Sequence, residues 1–133
     1  MLGPGDGSQV VAASHLLDGA ASEAATRRFL AEAGHHLLIA DADGYPAGFV
    51  CGVEMTHPDK GTEMFLYELG VEERFRRRGL GRALVERLRD LAMERGCYGM
   101  WLLTDDYNRA ALATYEGSGA SPERGQVVLV WTF

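Results

Sequence analysis

The stretch Glu63-Met64-Phe65-Leu66-Tyr67-Glu68-Leu69-Gly70-Val71, followed at Arg76-Arg77-Arg78-Gly79-Leu80-Gly81 by a basic glycine loop, decides how the whole chain is read. The first run predicts a strand with apolar residues on both faces, the pattern of a central strand covered on both sides. Glu68 is out of place in such a strand unless it is paired or useful. A strand that enters a glycine loop and then a helix gathers free backbone N–H groups and the positive end of a helix dipole around one point, which binds an anion. Gly79 and Gly81 predict a close backbone approach to that anion, and Arg76, Arg77 and Arg78 add charge beside it. A solvated turn would also carry arginines and glycines, but here a buried strand and an amphipathic helix flank the loop. The dinucleotide pattern Gly-x-Gly-x-x-Gly and the phosphate-loop pattern ending Gly-Lys-Ser/Thr are both absent.

Working outward, Leu80, Leu84, Leu88, Leu91 and Ala92 form one apolar face, predicting a helix from Leu80 to Arg95 that Gly96 closes. Ser14 to Ala33 predicts helix in one or two pieces before Gly34. His36 to Asp41 and Ala47 to Met55 predict an antiparallel hairpin around Asp43-Gly44. Thr56 to Thr62 reads as a loop, Tyr98 to Thr104 as a second buried strand, Asn108 to Gly117 as a short helix, and Gln126 to Phe133 as a terminal strand. The fold class is therefore α/β (α+β), a mixed sheet with helices on its faces.

At 133 residues one domain, 1–133, is expected, with Met1 to Ser8 as a frayed start. The apolar runs are far shorter than the roughly 20 residues of a membrane-spanning helix. A net charge of −6 disfavours nucleic acid as a partner and suits a cationic small molecule. Cys51 and Cys97 read as small buried hydrophobes, with the cytoplasm as the default location. His15, His35, His36 and His57 lack metal-site spacing, so no metal is expected.

With these residues in view, the chain resembles the GNAT superfamily of N-acetyltransferases. Its acetyl-CoA signature, a strand ending Leu-x-Val and then Gln/Arg-x-x-Gly-x-Gly/Ala, is met by Leu69-Gly70-Val71 and Arg76 to Gly81. A second marker, Asn-x-x-Ala followed by an aromatic and a glycine, is met by Asn108, Ala111, Tyr115 and Gly119. Gly119-Ala120 departs from the Gly-Phe or Gly-Ile of many relatives. Within the superfamily, Glu63 to Val71 and Asp105-Asp106-Tyr107 look like the aminoglycoside 3-N-acetyltransferases of type I over residues 36 to 133. The resemblance implies a mostly antiparallel sheet with helices on both faces and a splayed central strand pair. It also implies acetyl-CoA as donor, held by Leu69, Gly70, Val71, Arg76, Arg77, Arg78, Gly79, Leu80, Gly81, Arg82, Asn108 and Ala111.

By the same resemblance the Leu69–Val71 backbone pairs with the pantetheine arm, and the N–H of Leu69 or Val71 faces the developing oxyanion. An alkylammonium acceptor must lose a proton before it attacks. Glu68 is the candidate base, its pKa raised among Met64, Leu66 and other apolar neighbours; a structural carboxylate is the competing reading. Tyr115 is the candidate acid for the leaving thiolate, against a plain core aromatic. Tyr67, Glu68, Asp105 and Asp106 are candidates for binding a cationic amine, with helix capping the alternative for the aspartates. The acceptor is read as an aminoglycoside, with a polyamine, another metabolite or a protein amine as alternatives, and a non-catalytic acetyl-CoA binder as the remaining one. A homodimer is left open.

Overall fold

Asp43 and Gly44, both left-handed, reverse the chain between strand β1 (His35–Ala42) and strand β2 (Tyr45–His57), as a two-residue hairpin requires. The computed structural model describes residues 1–133. Strand β3 (Gly61–Val71) runs antiparallel to β2, and the short β4 (Met100–Trp101) runs parallel to β3, giving the order β1-β2-β3-β4. The mixed, mostly antiparallel sheet is as expected, with β3 inside it.

Pairing between β3 and β4 lasts for only two residues, Met64 with Met100 and Phe65 with Trp101. Beyond Phe65 the two strands part, and β3 has no strand neighbour on that side. This is the splayed pair. Helix α1 (Gly7–Ala12), a 3-10 turn at Ser14–Leu16 and helix α2 (Glu23–Ala31) cover one face of the sheet. Their core joins Val10 and Leu30 to Leu37, Phe49 and Cys51. Helix α3 (Leu80–Glu94) covers the other face, burying Leu84, Val85, Leu88, Leu91 and Ala92 against Leu38, Val50, Met64 and Leu66. Helix α4 (Arg109–Gly117) reaches this second core through Tyr115.

Four expectations need correction. The start of the chain is not frayed: the Leu2 N–H donates to the Leu37 carbonyl at 3.0 Å, and Leu2 packs on the first core. Thr56 to Thr62 is not a loop, because β2 and β3 continue through it in register and only Pro58-Asp59-Lys60 turns. Tyr98 to Thr104 is not a buried strand; only two of its residues pair, and Tyr98, Trp101 and Leu103 are exposed. Gln126 to Phe133 is exposed and has no regular secondary structure, and no strand pairs with it. Apolar runs identify these last two segments as strand-like, but a strand is completed only by a neighbour. Cys51 is buried and Cys97 half-buried, and both are free thiols. No helix is long and apolar enough to cross a membrane.

Candidate active site

The β2–β3 register slips between Cys51 and Gly52: Cys51 faces Glu68, while Gly52 faces Leu66. Tyr67 is thus an extra residue on β3, a β-bulge that switches which residues face each side. Before it, Met64 and Leu66 pack on α3; after it, Leu69 and Val71 do. Without the bulge, strict alternation would turn Glu68 into the α3 core. With it, Glu68 lies on the opposite face, across from Cys51. Glu68 is therefore not among Met64 and Leu66, as the unbroken alternation of the sequence suggested.

On that face Glu68 lines a groove of about 380 Å³ together with His15, Asp18, Gly70, Glu72 and Arg76. Its pKa is raised, first by burial and then by the Asp18 charge. The Glu68 carboxylate accepts no hydrogen bond and pairs with no cation. Glu72, by contrast, is held by Arg74 through Oε1 at 2.6 Å, while its other oxygen, buried 3.3 Å from His15 Nε2, has no hydrogen-bond partner. His15 also reaches the Pro46 carbonyl at 3.0 Å, fixing the turn that carries Asp18 against the sheet. Burial, with the Glu68 charge beside it, pushes the Cys51 thiol up to about 12, so it is a packing group rather than a nucleophile. His15, Asp18 and Glu72 were not identified from the sequence. They come together only through the packing of the N-terminal turn on β3, and no motif records that contact.

Gly70 serves this packing. A Cβ there would stand 2.5 Å from Phe49 Cε1 and 3.2 Å from the Leu16 carbonyl, so any side chain would displace the buried Phe49 ring of β2 and crowd the N-terminal turn. It packs on the face covered by the N-terminal elements, whereas Leu69 and Val71 send their side chains to α3 and leave backbone along the splayed edge.

The loop after β3 fits a pyrophosphate. Helix α3 begins at Gly79, which is left-handed at φ 78°, and no side chain caps it or places an acid in its first turn. The helix's first N–H groups are therefore free for an outside acceptor. Arg77 is also left-handed, at φ 62°, so successive amides turn into a concave nest. A Cβ on Gly79 would meet nothing within 4 Å, so glycine is required there by its backbone angle; at Gly81 a Cβ would make ordinary contacts with Val71 and Thr114. Arg76 donates from Nε to the Val71 carbonyl at 2.9 Å, tying the loop to the end of β3. Arg77 forms no ion pair, while Arg78 lies over the Phe75 ring and Arg82 pairs with Glu86 at 2.7 Å.

Tyr115 is half-buried against the α3 core, its pKa raised by burial, and its hydroxyl has no hydrogen-bond partner in the protein. Asn108 caps α4, its Oδ1 accepting from the Ala111 N–H at 3.1 Å. Capping therefore falls to Asn108 and leaves Asp105 and Asp106 free of it. Asp105 accepts from the Tyr107 hydroxyl at 3.1 Å. Neither aspartate lines the groove that holds Glu68, and nor does Tyr67, which is exposed with its ring edge-on to Phe65.

A splayed β3 thus carries an uncapped glycine-loop helix on one face and an unpaired carboxylate on the other, and the comparisons with known proteins say to which class such a chain belongs. Residues 12–120 match the acetyltransferase (GNAT) family, and the chain belongs to that family of acetyl-CoA-dependent N-acetyltransferases. It is 44% identical over 57 residues to the ribosomal protein bS18-alanine N-acetyltransferase of Salmonella typhimurium, a match covering 43% of this chain and 38% of that protein. Its fold is similar to an aminoglycoside acetyltransferase from an uncultured soil metagenomic sample, solved with sisomicin, at TM-score 0.89 and 15% identity over 99% of this chain and 93% of that one. It is also similar to aminoglycoside N-acetyltransferase AAC(6')-Iy in complex with CoA, at TM-score 0.78 and 20% identity over 98% and 91% of the two chains. The type I 3-N subfamily expected from the sequence is a finer distinction than these likenesses make.

Proposed function

We propose that the chain transfers an acetyl group from acetyl-CoA to a primary amine of a cationic small molecule, with the 3-amino group of an aminoglycoside as the preferred acceptor. The observation that carries this reading is Glu68, a carboxylate without a cation partner, set by a bulge into an acidic groove beside the open edge of β3.

When bound, acetyl-CoA supplies an acetyl group already activated as a thioester. The first-turn amides of α3 and the nest at Arg77 to Gly79 would hold its pyrophosphate, and the exposed β3 backbone from Leu69 to Val71 would orient the pantetheine arm. Asp18 and Glu68 attract the ammonium group. Glu68 takes its proton on a carboxylate oxygen, and its raised pKa makes it a stronger base than an ordinary glutamate. The freed amine would attack the thioester carbonyl, forming the C–N bond as the C–S bond breaks, and the N–H of Leu69 or Val71 would donate to the carbonyl oxygen as negative charge develops. Tyr115, a phenol that burial pushes further above neutrality, holds its proton and would donate it to the departing sulfur.

A second reading is supported by the bS18-alanine acetyltransferase similarity: the acceptor is the N-terminal amine of a protein. Thiol release from acetyl-CoA, followed in parallel with sisomicin, spermidine and a peptide beginning with alanine, tests both. Turnover with sisomicin at a kcat/KM at least tenfold above the others supports the first reading. Preference for the peptide establishes the second, and a lack of thiol release with every amine defeats both.

A further inference from the structure

Arg74 stands at the head of the basic run that ends in the glycine loop, but its guanidinium is engaged elsewhere in the chain. Its Nε lies 2.6 Å from Glu72 Oε1. Its central carbon lies 4.4 Å from the centroid of the Tyr45 ring and 4.7 Å from that of Phe75, two rings 6.2 Å apart and inclined at 34°. One side chain therefore meets a carboxylate and two aromatic rings, drawn from the end of β3, the start of β2 and the 3-10 turn Glu73–Phe75.

Two of these partners belong to different sites. Glu72 lines the groove that holds Glu68, and its second oxygen is buried without a hydrogen-bond partner, 3.3 Å from His15 Nε2. His15 is a cation only when protonated, so Arg74 is the one permanent charge that answers Glu72. Phe75 leads the other way. It immediately precedes Arg76, which is tied to the Val71 carbonyl, and its ring also carries the Arg78 guanidinium at 5.7 Å. Between those two anchored arginines is Arg77, left-handed at φ 62°, in the nest. A fixed Phe75 ring thus helps to fix the nest.

We infer that Arg74 is a positioning residue for both substrates: it neutralises Glu72, which then does not compete with Glu68 for the acceptor ammonium, and it clamps Phe75, which keeps the pyrophosphate loop in its binding shape. The first half rests on the reading of the groove as the acceptor site; the second needs only the acetyl-CoA site. Lysine cannot replace arginine here. A planar guanidinium reaches the carboxylate along its edge and the rings across its face, while an ammonium is a point charge that serves one or the other. The full charge of Glu72 is the stronger attraction, so a lysine would stay with Glu72 and leave the rings.

The Arg74 side chain is 57% exposed, so the fold tolerates its replacement. Titration calorimetry with CoA, and separately with sisomicin at low salt, reads each half without requiring turnover. Arg74→Lys should weaken CoA about two- to fivefold, the scale of one exposed cation–π contact, and leave sisomicin affinity unchanged. Arg74→Ala should weaken CoA to the same degree yet bind sisomicin about threefold more tightly, because Glu72 is then a free carboxylate; added salt should erase that gain. Adding Glu72→Gln to Arg74→Ala should return sisomicin to its wild-type affinity and leave CoA weak. A loosened fold cannot give this pattern, since loosening weakens both ligands. CoA affinity that ignores Arg74→Lys overturns the loop half. Sisomicin affinity that falls or stays level in Arg74→Ala, rises equally in Arg74→Lys, or is not reversed by Glu72→Gln overturns the groove half. If none of the proteins binds sisomicin, the acceptor reading and the groove half fall together, and the CoA titrations alone decide the loop half.

Discussion

Glu54 and Glu68 sit on neighbouring strands and have opposite surroundings. Glu54, on β2, is hydrogen-bonded by His36 at 2.7 Å and by Arg95 from the end of α3. Burial works against its charge, but the hydrogen bonds from Arg95 and His36 outweigh it and hold the pKa below the ordinary glutamate value. Glu68, on β3, has no such partner; burial and then the Asp18 charge raise its pKa. A carboxylate hydrogen-bonded by an arginine and a histidine fastens three elements together. One left unpaired beside a like charge weakens the fold slightly and gains basicity, which is the usual mark of a working group.

The largest test of that contrast is Glu68→Gln. Shape and burial are kept while the base is lost, so kcat should fall by roughly 10²- to 10⁴-fold, the range for general acid–base catalysis. CoA affinity should persist, and the melting temperature should not drop, because the charged form is the one that the fold disfavours. The residual rate should climb more steeply with pH, since only amine already deprotonated in solution reacts. Near-normal turnover with an unchanged pH profile would make Glu68 a structural carboxylate like Glu54.

Glu54→Gln should give the converse result: kcat within about twofold of normal and a melting temperature lower by roughly 5–12 °C, the scale of one hydrogen bond to a charged group in a chain of this size. The pH sign follows from the lowered pKa. The stabilisation is complete above the unfolded value near 4.3 and is lost as pH falls through the lower folded value. Thermal melts across that acid range should therefore converge for wild type and variant. Curves that stay parallel would remove the ion pair from the account.

The sequence allowed Glu68 to be noticed but not placed. The glycine loop, helix α3 and the hairpin at Asp43-Gly44 are local: neighbouring residues determine their backbone angles and apolar spacing. The bulge at Tyr67 is not local, since it depends on how β3 registers against β2, and period-2 reading carries straight through it. Asp18 and His15 reach the groove from some 50 residues away by tertiary packing. The tail was read as a strand from its apolar run, and the structure shows that composition alone does not supply the partner.

A third test separates the donor side from the acceptor side of β3. Arg76→Ala with Gly79→Val removes the tie to the Val71 carbonyl and imposes a β-branched residue at φ 78°, where only glycine is relaxed. CoA should bind about 10- to 100-fold more weakly by calorimetry, while the core of α3 keeps the domain folded. Unchanged affinity in the folded double variant would remove the loop from the cofactor site, whatever Glu68 does.

The smallest expected effect is also the most specific. Asp18 raises the Glu68 pKa through its charge, second to burial, and Asp18→Asn removes that charge while leaving the turn and the groove in place. The Glu68 pKa should then fall towards the ordinary range, and the acid limb of kcat/KM should move to lower pH. At high pH the plateau should drop modestly, because a weaker base drives proton removal less, and the KM for a polycation should rise as one attractive carboxylate is lost. Added salt should raise the wild-type KM more than that of the variant. Asp105→Asn is the matching control: Asp105 is outside the groove, so it should leave the limb in place. If Asp18→Asn leaves the limb unmoved while Glu68→Gln abolishes it, burial alone sets the basicity of Glu68. If neither variant moves it, the limb belongs to the substrate amine, and the contrast between Glu54 and Glu68 is one of stability only.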